Sequence, residues 1–424
     1  MLKAEISSWH INVLQWNYHN NKKTELKYKK VQFLRKIDTF NKNSQKFITY
    51  FSFGNRNHKN IFKHLHISNL LVMDKDNNLM QEKFVIDKED VNELLRSFMK
   101  KYVVFAPVEK KHGVSFQKID DEKNLCLSYT STTTPPKKVL YPYKEKLFSF
   151  DLSKSEFFES KDNKKTIIFG IHPCDVNAIL QLDEFFSNSM EDVYYTARRE
   201  NLIIFAINCN HAGENCFCSS LGTGPFLEKG YDLLLTDIGE KYLLEVGSDK
   251  GKDLIHENEF REATDDEIEK KREVEEKALR EFKKFVDFDS LKNILEEKYT
   301  DEIWEEVAEE GTDNSFPCLS CASCSLVCPT CYCYEVFDYI DISLEKGSRF
   351  RELDSCQLLE YAEVAGGNFR QGRKERLRHW MMCKFGFAAA GESSKCVGCG
   401  RCIEACPAGI DITEVARRLG ERNG

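Results

Sequence analysis

Six cysteines fall within the sixteen residues CLSCASCSLVCPTCYC (318–333). The first four, Cys318, Cys321, Cys324 and Cys328, keep the spacing C-x2-C-x2-C-x3-C and are followed by Pro329. The same run returns in CVGCGRCIEACP as Cys396, Cys399, Cys402 and Cys406, followed by Pro407. Few patterns restrict a fold so strongly. Three thiolates on a tight turn can hold three corners of an iron–sulfur cubane; the chain then runs on and carries its fourth thiol to a neighbouring cluster. Two complete runs therefore predict two [4Fe–4S] clusters, one on Cys318, Cys321, Cys324 and Cys406, the other on Cys328, Cys396, Cys399 and Cys402. A zinc site would use paired C-x2-C halves around one tetrahedral ion, and two full quartets, each closed by proline, argue against it.

Twelve of the 17 cysteines lie between Cys318 and Cys406. No apolar stretch approaches the roughly eighteen residues of a membrane span, and no leader with a small-residue cleavage site opens the sequence. The expectation is a cytoplasmic protein without a membrane segment, in which thiols stay reduced and bind metal instead of forming disulfides. Charge is uneven: residues 1–79 hold 14 Lys/Arg against 5 Asp/Glu, whereas 80–424 hold 47 against 64. Residues 1–79 follow no sustained period and read as a basic extension without an assigned fold. They are either a genuine arm or translated sequence ahead of a start at Met80. A charge run alone is weak evidence for a nucleic-acid partner, and none is expected.

Residues 80–257 read as an α/β domain. TIIFGI (166–171) and NLIIFAINC (201–209) are buried-strand runs separated by the helical spacing of VNAILQLDEFF (176–186), which makes a βαβ unit with adjacent parallel strands. Cys174 follows the first strand and Cys209 ends the second, so both fall at the carboxyl edge of the sheet, where open α/β sheets place ligands. Cys216 and Cys218 follow in one loop. These four are candidates for a third cluster, with zinc or plain buried thiols as the alternatives. Residues 258–312 form a charged helical connection rich in i,i+4 pairs. Residues 313–424 are expected to be a mainly α-helical ferredoxin-type domain holding the two clusters, with DSCQLLEYAEVAG (354–366) and GRKERLRHWMMCKF (372–385) as helices between the runs. Cys331 and Cys333 are surplus thiols that either tune or flank a cluster or, on the favoured reading, ligate nothing, and Cys356 and Cys383 read as core thiols or neighbours of the clusters.

The sequence contains no G-x-G-x-x-G after a strand, no H-E-x-x-H, no P-loop and no nucleophile elbow. A chain rich in one-electron carriers but without a hydride site is an electron relay, with no autonomous active site. Two other classes compete: a self-sufficient reductase using the Cys174/Cys209 edge, and a zinc-organised interaction module.

From residue 80 onward the sequence resembles the iron–sulfur subunits of the anaerobic sulfite reductase A and sulfhydrogenase (cytosolic nickel–iron hydrogenase) beta family. The resemblance rests on TPPKKVLYP (134–142), GIHPCDVNAI (170–179), CFCSSLGTGP (216–225), the first cysteine run, DSCQ (354–357), RLRHW (376–380) and CVGCGRCIEACPAGIDI (396–412). His172 stands where the family pattern leads one to expect arginine. The resemblance implies a subunit that passes electrons between a flavin- and NAD(P)-binding partner and a catalytic partner, a nickel–iron hydrogenase or, alternatively, a sulfite reductase.

Overall fold

The apolar runs of the middle segment become the centre of a mixed eight-stranded sheet. A computed structural model describes residues 82–187, 191–256, 258–312, 315–386 and 394–422; the basic extension at 1–79 lies outside the described residues. The chain runs β1 (Lys83–Asp87), α1 (Lys88–Met99), β2 (Val103–Lys110), β3 (Gly113–Lys118), β4 (Lys144–Asp151), β5 (Glu156–Glu159), β6 (Thr166–Ile171), α2 (Pro173–Ser187), α3 (Val193–Glu200), β7 (Leu202–Ile207), β8 (Leu233–Asp237) and β9 (Lys241–Val246). Then come α4 (Asp249–Ile255), β10 (Arg261–Glu262), α5 (Asp265–Arg280), α6 (Phe288–Leu295), α7 (Ile303–Glu309), α8 (Ser323–Leu326), β11 (Tyr334–Ile340), β12 (Lys346–Leu353), β13 (Glu363–Val364), β14 (Gly367–Asn368), α9 (Arg373–Phe385), α10 (Arg401–Glu404) and α11 (Ile412–Glu421).

The large sheet has the order β10-β1-β9-β8-β7-β6-β2-β3. Its centre, β2, β6, β7 and β8, is parallel, and β6 and β7 are direct neighbours, as strand–helix–strand order predicts. Both faces are covered, which is why these strands read as unbroken apolar runs. Ile167, Phe169, Ile203, Phe205, Leu233 and Leu235 pack on one side with α1. Their alternates Ile168, Ile204, Ala206 and Leu234 pack on the other with Val176, Ile179 and Leu182 of α2.

A second sheet, β11-β12-β4-β5, is antiparallel throughout and draws on both halves of the chain. Buried Arg351 of β12 ties it to the first layer: it pairs with Glu145 of β4 and with Asp192, the residue capping α3, while Arg198 of α3 also reaches Glu145. The C-terminal part is therefore less helical than the sequence suggests. Helices α6, α7, α9 and α11 do build a core around Trp304, Val307, Trp380, Met381, Phe385 and Val415, but the stretch between the cysteine runs contributes the β11–β12 hairpin. DSCQLLEYAEVAG is not a helix; it holds a 3-10 turn at Glu360–Ala362 and strand β13. Its side chains are committed elsewhere: Ser355 Oγ lies 2.5 Å from Ser325 Oγ, and Gln357 Nε2 donates to the Arg376 carbonyl at 3.0 Å. Those tertiary bonds outweigh a modest local helical preference.

One residue of β6 aims the chain at the sheet edge. Gly170 interrupts the β6–β7 register with φ +73°, and a Cβ there would lie 2.6 Å from Leu127 Cδ2. Its carbonyl accepts from Tyr129 Oη at 2.7 Å. Gly170→Ala is expected to cost about 1–3 kcal/mol, from the left-handed backbone and the overpacking together. Gly366→Ala, with open space around its Cβ, is expected to be near neutral. Anaerobic denaturant titration of both variants checks this.

Candidate iron–sulfur centres

The two cysteine runs fold alike. In the first, Ser320 (φ 48°) and Ala322 (φ 67°) take the left-handed conformation; in the second, Gly398 (φ 59°) and Gly400 (φ 75°) occupy the matching places. A single-turn helix follows each, α8 and α10. The tight turns aim backbone amides at sulfur: Ser320 N–H donates to Cys318 Sγ at 3.4 Å, Gly398 N–H to Cys396 Sγ at 3.4 Å and Ile410 N–H to Cys406 Sγ at 3.3 Å. Such bonds are one of the means by which proteins set cluster potentials.

The structure brings the predicted quartets together. Cys318, Cys321, Cys324 and Cys406 line one cavity, with Leu377 and Trp380 as part of its apolar wall. Cys328 lies within electrostatic reach of Cys396, Cys399 and Cys402. Each run's fourth thiol has thus crossed to the other run. At the edge of the large sheet, Cys209 neighbours Cys216 and Cys218, and Cys174 neighbours Cys218. All seventeen cysteines are free. Burial pushes the Cys174, Cys209 and Cys402 thiols up, Cys396 to about 12 and Cys399 to about 11. A metal bound there must displace the thiol proton.

The sheet-edge thiols and the second run are pressed against each other. Phe217 N–H donates to the Gly398 carbonyl at 2.8 Å, and Thr223 Oγ1 to the Val397 carbonyl at 2.9 Å. This contact explains why the second run uses glycine where the first tolerates Ser320 and Ala322. A Cβ on Gly398 would stand 2.6 Å from Cys218 N, and one on Gly400 2.4 Å from the Asn215 carbonyl oxygen. At the centre, buried Arg401 forms a two-pronged pair with buried Asp175, Nη1 to Oδ1 at 2.7 Å and Nη2 to Oδ2 at 2.6 Å. It also donates to the Thr132 carbonyl at 2.9 Å and to Thr132 Oγ1 at 2.8 Å. His172 stacks on Tyr129 with ring centres 3.8 Å apart; burial and the Arg401 charge push its pKa down to about 3, so it stays neutral.

Comparison with known proteins agrees with this geometry. Residues 317–410, the span of both runs, match the family described as a 4Fe-4S dicluster domain. Over 321 residues the chain is 37% identical to sulfhydrogenase 2 subunit beta of Pyrococcus furiosus, covering 75% of this chain and 92% of that protein. The chain belongs to the sulfhydrogenase beta-subunit family. It is an iron–sulfur protein of the 4Fe-4S type. No solved structure matches it. No helix among the described residues is long and apolar enough to cross a membrane.

Sequence reasoning missed four residues here. Arg401 and Asp175 each adjoin a cysteine, which was the available signal, but their pairing spans 226 positions. Two buried lysines went unnoticed as well: Lys137 Nζ donates to the Cys331 carbonyl at 2.6 Å and Lys384 Nζ to Thr330 Oγ1 at 2.8 Å. Arg401→Met leaves Asp175 buried and unpaired, with an expected loss of about 3–5 kcal/mol. In the double variant Arg401→Met/Asp175→Leu most of that loss should return. A double-mutant cycle by anaerobic denaturant unfolding measures both.

Proposed function

We propose that this chain is the electron-relaying beta subunit of a multisubunit nickel–iron sulfhydrogenase, standing between a flavin- and NAD(P)-binding subunit and the hydrogenase subunit. The observation that carries the reading is the seating of the second cysteine run on the sheet-edge thiols. It makes one continuous file of ligand sets: Cys318/Cys321/Cys324/Cys406, then Cys328/Cys396/Cys399/Cys402, then Cys174/Cys209/Cys216/Cys218. When bound, [4Fe–4S] clusters supply carriers that accept and release one electron at a time.

The chain's own residues do the rest. Gly398 and Gly400 permit the second and third sets to approach, and the Arg401–Asp175 pair fixes their orientation. Trp380, Leu377 and the apolar wall behind Cys324 limit water at the first set, while Cys321 is exposed and marks the side where electrons enter or leave. Outside these sets, the chain has none of the sequence signatures of a hydride or substrate site. The two edge strands of the second sheet carry exposed apolar side chains, Phe157 and Phe158 on β5 and Tyr339 and Ile340 on β11. The name of the Pyrococcus furiosus relative favours a hydrogenase complex over a sulfite reductase.

The test is isolation of the tagged chain from its native cells without oxygen. A nickel-containing large subunit and a flavoprotein are expected to accompany it, and hydrogen gas should bleach the visible iron–sulfur absorption of the complex. Recovery of a sirohaem protein in place of nickel would overturn the hydrogenase assignment in favour of the sulfite reductase alternative.

A further inference from the structure

Sixteen of the 17 cysteines divide into four groups of four once Cys126 is set aside. Three groups are accounted for above. Of the remaining four, Cys333, Cys356 and Cys383 come from three separate places in the chain and lie within reach of one another. Cys331, two residues before Cys333 in the same loop, lies against Cys328 of the second set and shares the Lys137 neighbourhood with Cys333.

The fold creates this meeting. Tyr334 of β11 pairs with Leu353 of β12, and one step further Asp354 N–H donates to the Cys333 carbonyl at 3.0 Å. The base of the hairpin thereby sets Cys333 opposite the 354–356 turn, and the thiols of Cys333 and Cys356 lie within electrostatic reach of each other. The Tyr361 hydroxyl also reaches Cys333. Cys383, on the last turn of α9, lies within electrostatic reach of both Cys333 and Cys356. Cys331 is 7% exposed and Cys356 4% exposed.

A second observation points to what these thiols hold. Lys137 is 1% exposed and Lys384 3% exposed, and among the described residues neither ammonium forms an ion pair with a carboxylate. Their hydrogen-bond partners, a carbonyl and a hydroxyl, are neutral. A buried cation without a counter-charge is strongly unfavourable. The two lysines face each other, and the remaining charged or titratable groups named around them are cysteines: Cys331, Cys328 and Cys333 around Lys137, and Cys328, Cys331, Cys383 and Cys396 around Lys384. One cluster on the second run supplies negative charge on the Cys328/Cys396 side only.

We propose that Cys331, Cys333, Cys356 and Cys383 ligate a further iron–sulfur cluster, whose thiolate charge is balanced by Lys137 and Lys384. A [4Fe–4S] centre suits the set, because its sulfurs come from three separate places and need not crowd one ion. The centre branches from the relay beside the second run, under the β11–β12 hairpin.

The experiment counts iron and acid-labile sulfide per chain in the anaerobically isolated full-length protein and three variants. Cys333→Ala/Cys356→Ala is expected to lose about four of each relative to the parent protein, and Cys126→Ala none. Cys174→Ala/Cys209→Ala reports the sheet-edge set alone, so the two sites are counted independently. Should the double variant fail to fold, Cys383→Ala removes a single corner and is expected to give a three-iron EPR signal absent from the parent. Undiminished iron in Cys333→Ala/Cys356→Ala, or in Cys383→Ala without a new signal, overturns the proposal.

Discussion

The Arg401 guanidinium and the Asp175 carboxylate are buried against each other, and the seating of the second cysteine run on the sheet-edge thiols depends on that pair. Asp175 directly follows Cys174 at the start of α2; Arg401 directly precedes Cys402 at the start of α10. Joining them docks the second cysteine run on the edge of the large sheet in one orientation, because a two-pronged guanidinium–carboxylate contact fixes angle as well as distance. Its net contribution to stability is modest, since two charges must leave water to form it. Its value lies in registry. Given that registry, the glycines at 398 and 400 follow: any side chain there would strike Asn215, Phe217 or Cys218.

Charge is managed the same way throughout the interior. Thiolate-bound clusters are anionic and sit in a segment, 80–424, that is itself acidic. Among the described residues, Lys137, Lys384 and Arg401 are buried with cysteines facing them. Buried positive charge beside a cluster favours the reduced form, and backbone amides aimed at sulfur act in the same direction. The relay is thus tuned by groups that never touch iron. His172, stacked on Tyr129, stays neutral, held so by burial and by the Arg401 charge.

Much of this was readable from the residues. Cysteine spacing is a local property, and the grouping of Cys318, Cys321 and Cys324, and of Cys396, Cys399 and Cys402, needed only the turn between neighbouring thiols. The central parallel strands were equally plain, since strands buried on both faces leave unbroken runs such as LIIFAI. What stayed hidden was non-local. The β11–β12 hairpin pairs with β4 across about two hundred residues, and no periodicity within YEVFDYI announces that partner. DSCQ looked helical because its hydrogen bonds to Ser325 and Arg376 cannot be seen one residue at a time. The lysines failed for a related reason: Lys137 and Lys384 look like surface residues until the fold encloses them.

The central claim is that ligand sets from both parts of the chain form one file, joined at the sheet edge. The most direct measurement is an anomalous difference map at the iron absorption edge from crystals grown without oxygen. The account requires iron peaks within Cys318/Cys321/Cys324/Cys406, within Cys328/Cys396/Cys399/Cys402 and within Cys174/Cys209/Cys216/Cys218, with the last two sets flanking the Arg401–Asp175 pair. Iron in the first two sets with none at the sheet edge would contradict it, and would reduce the Arg401 contact to a structural clamp between two parts of the fold.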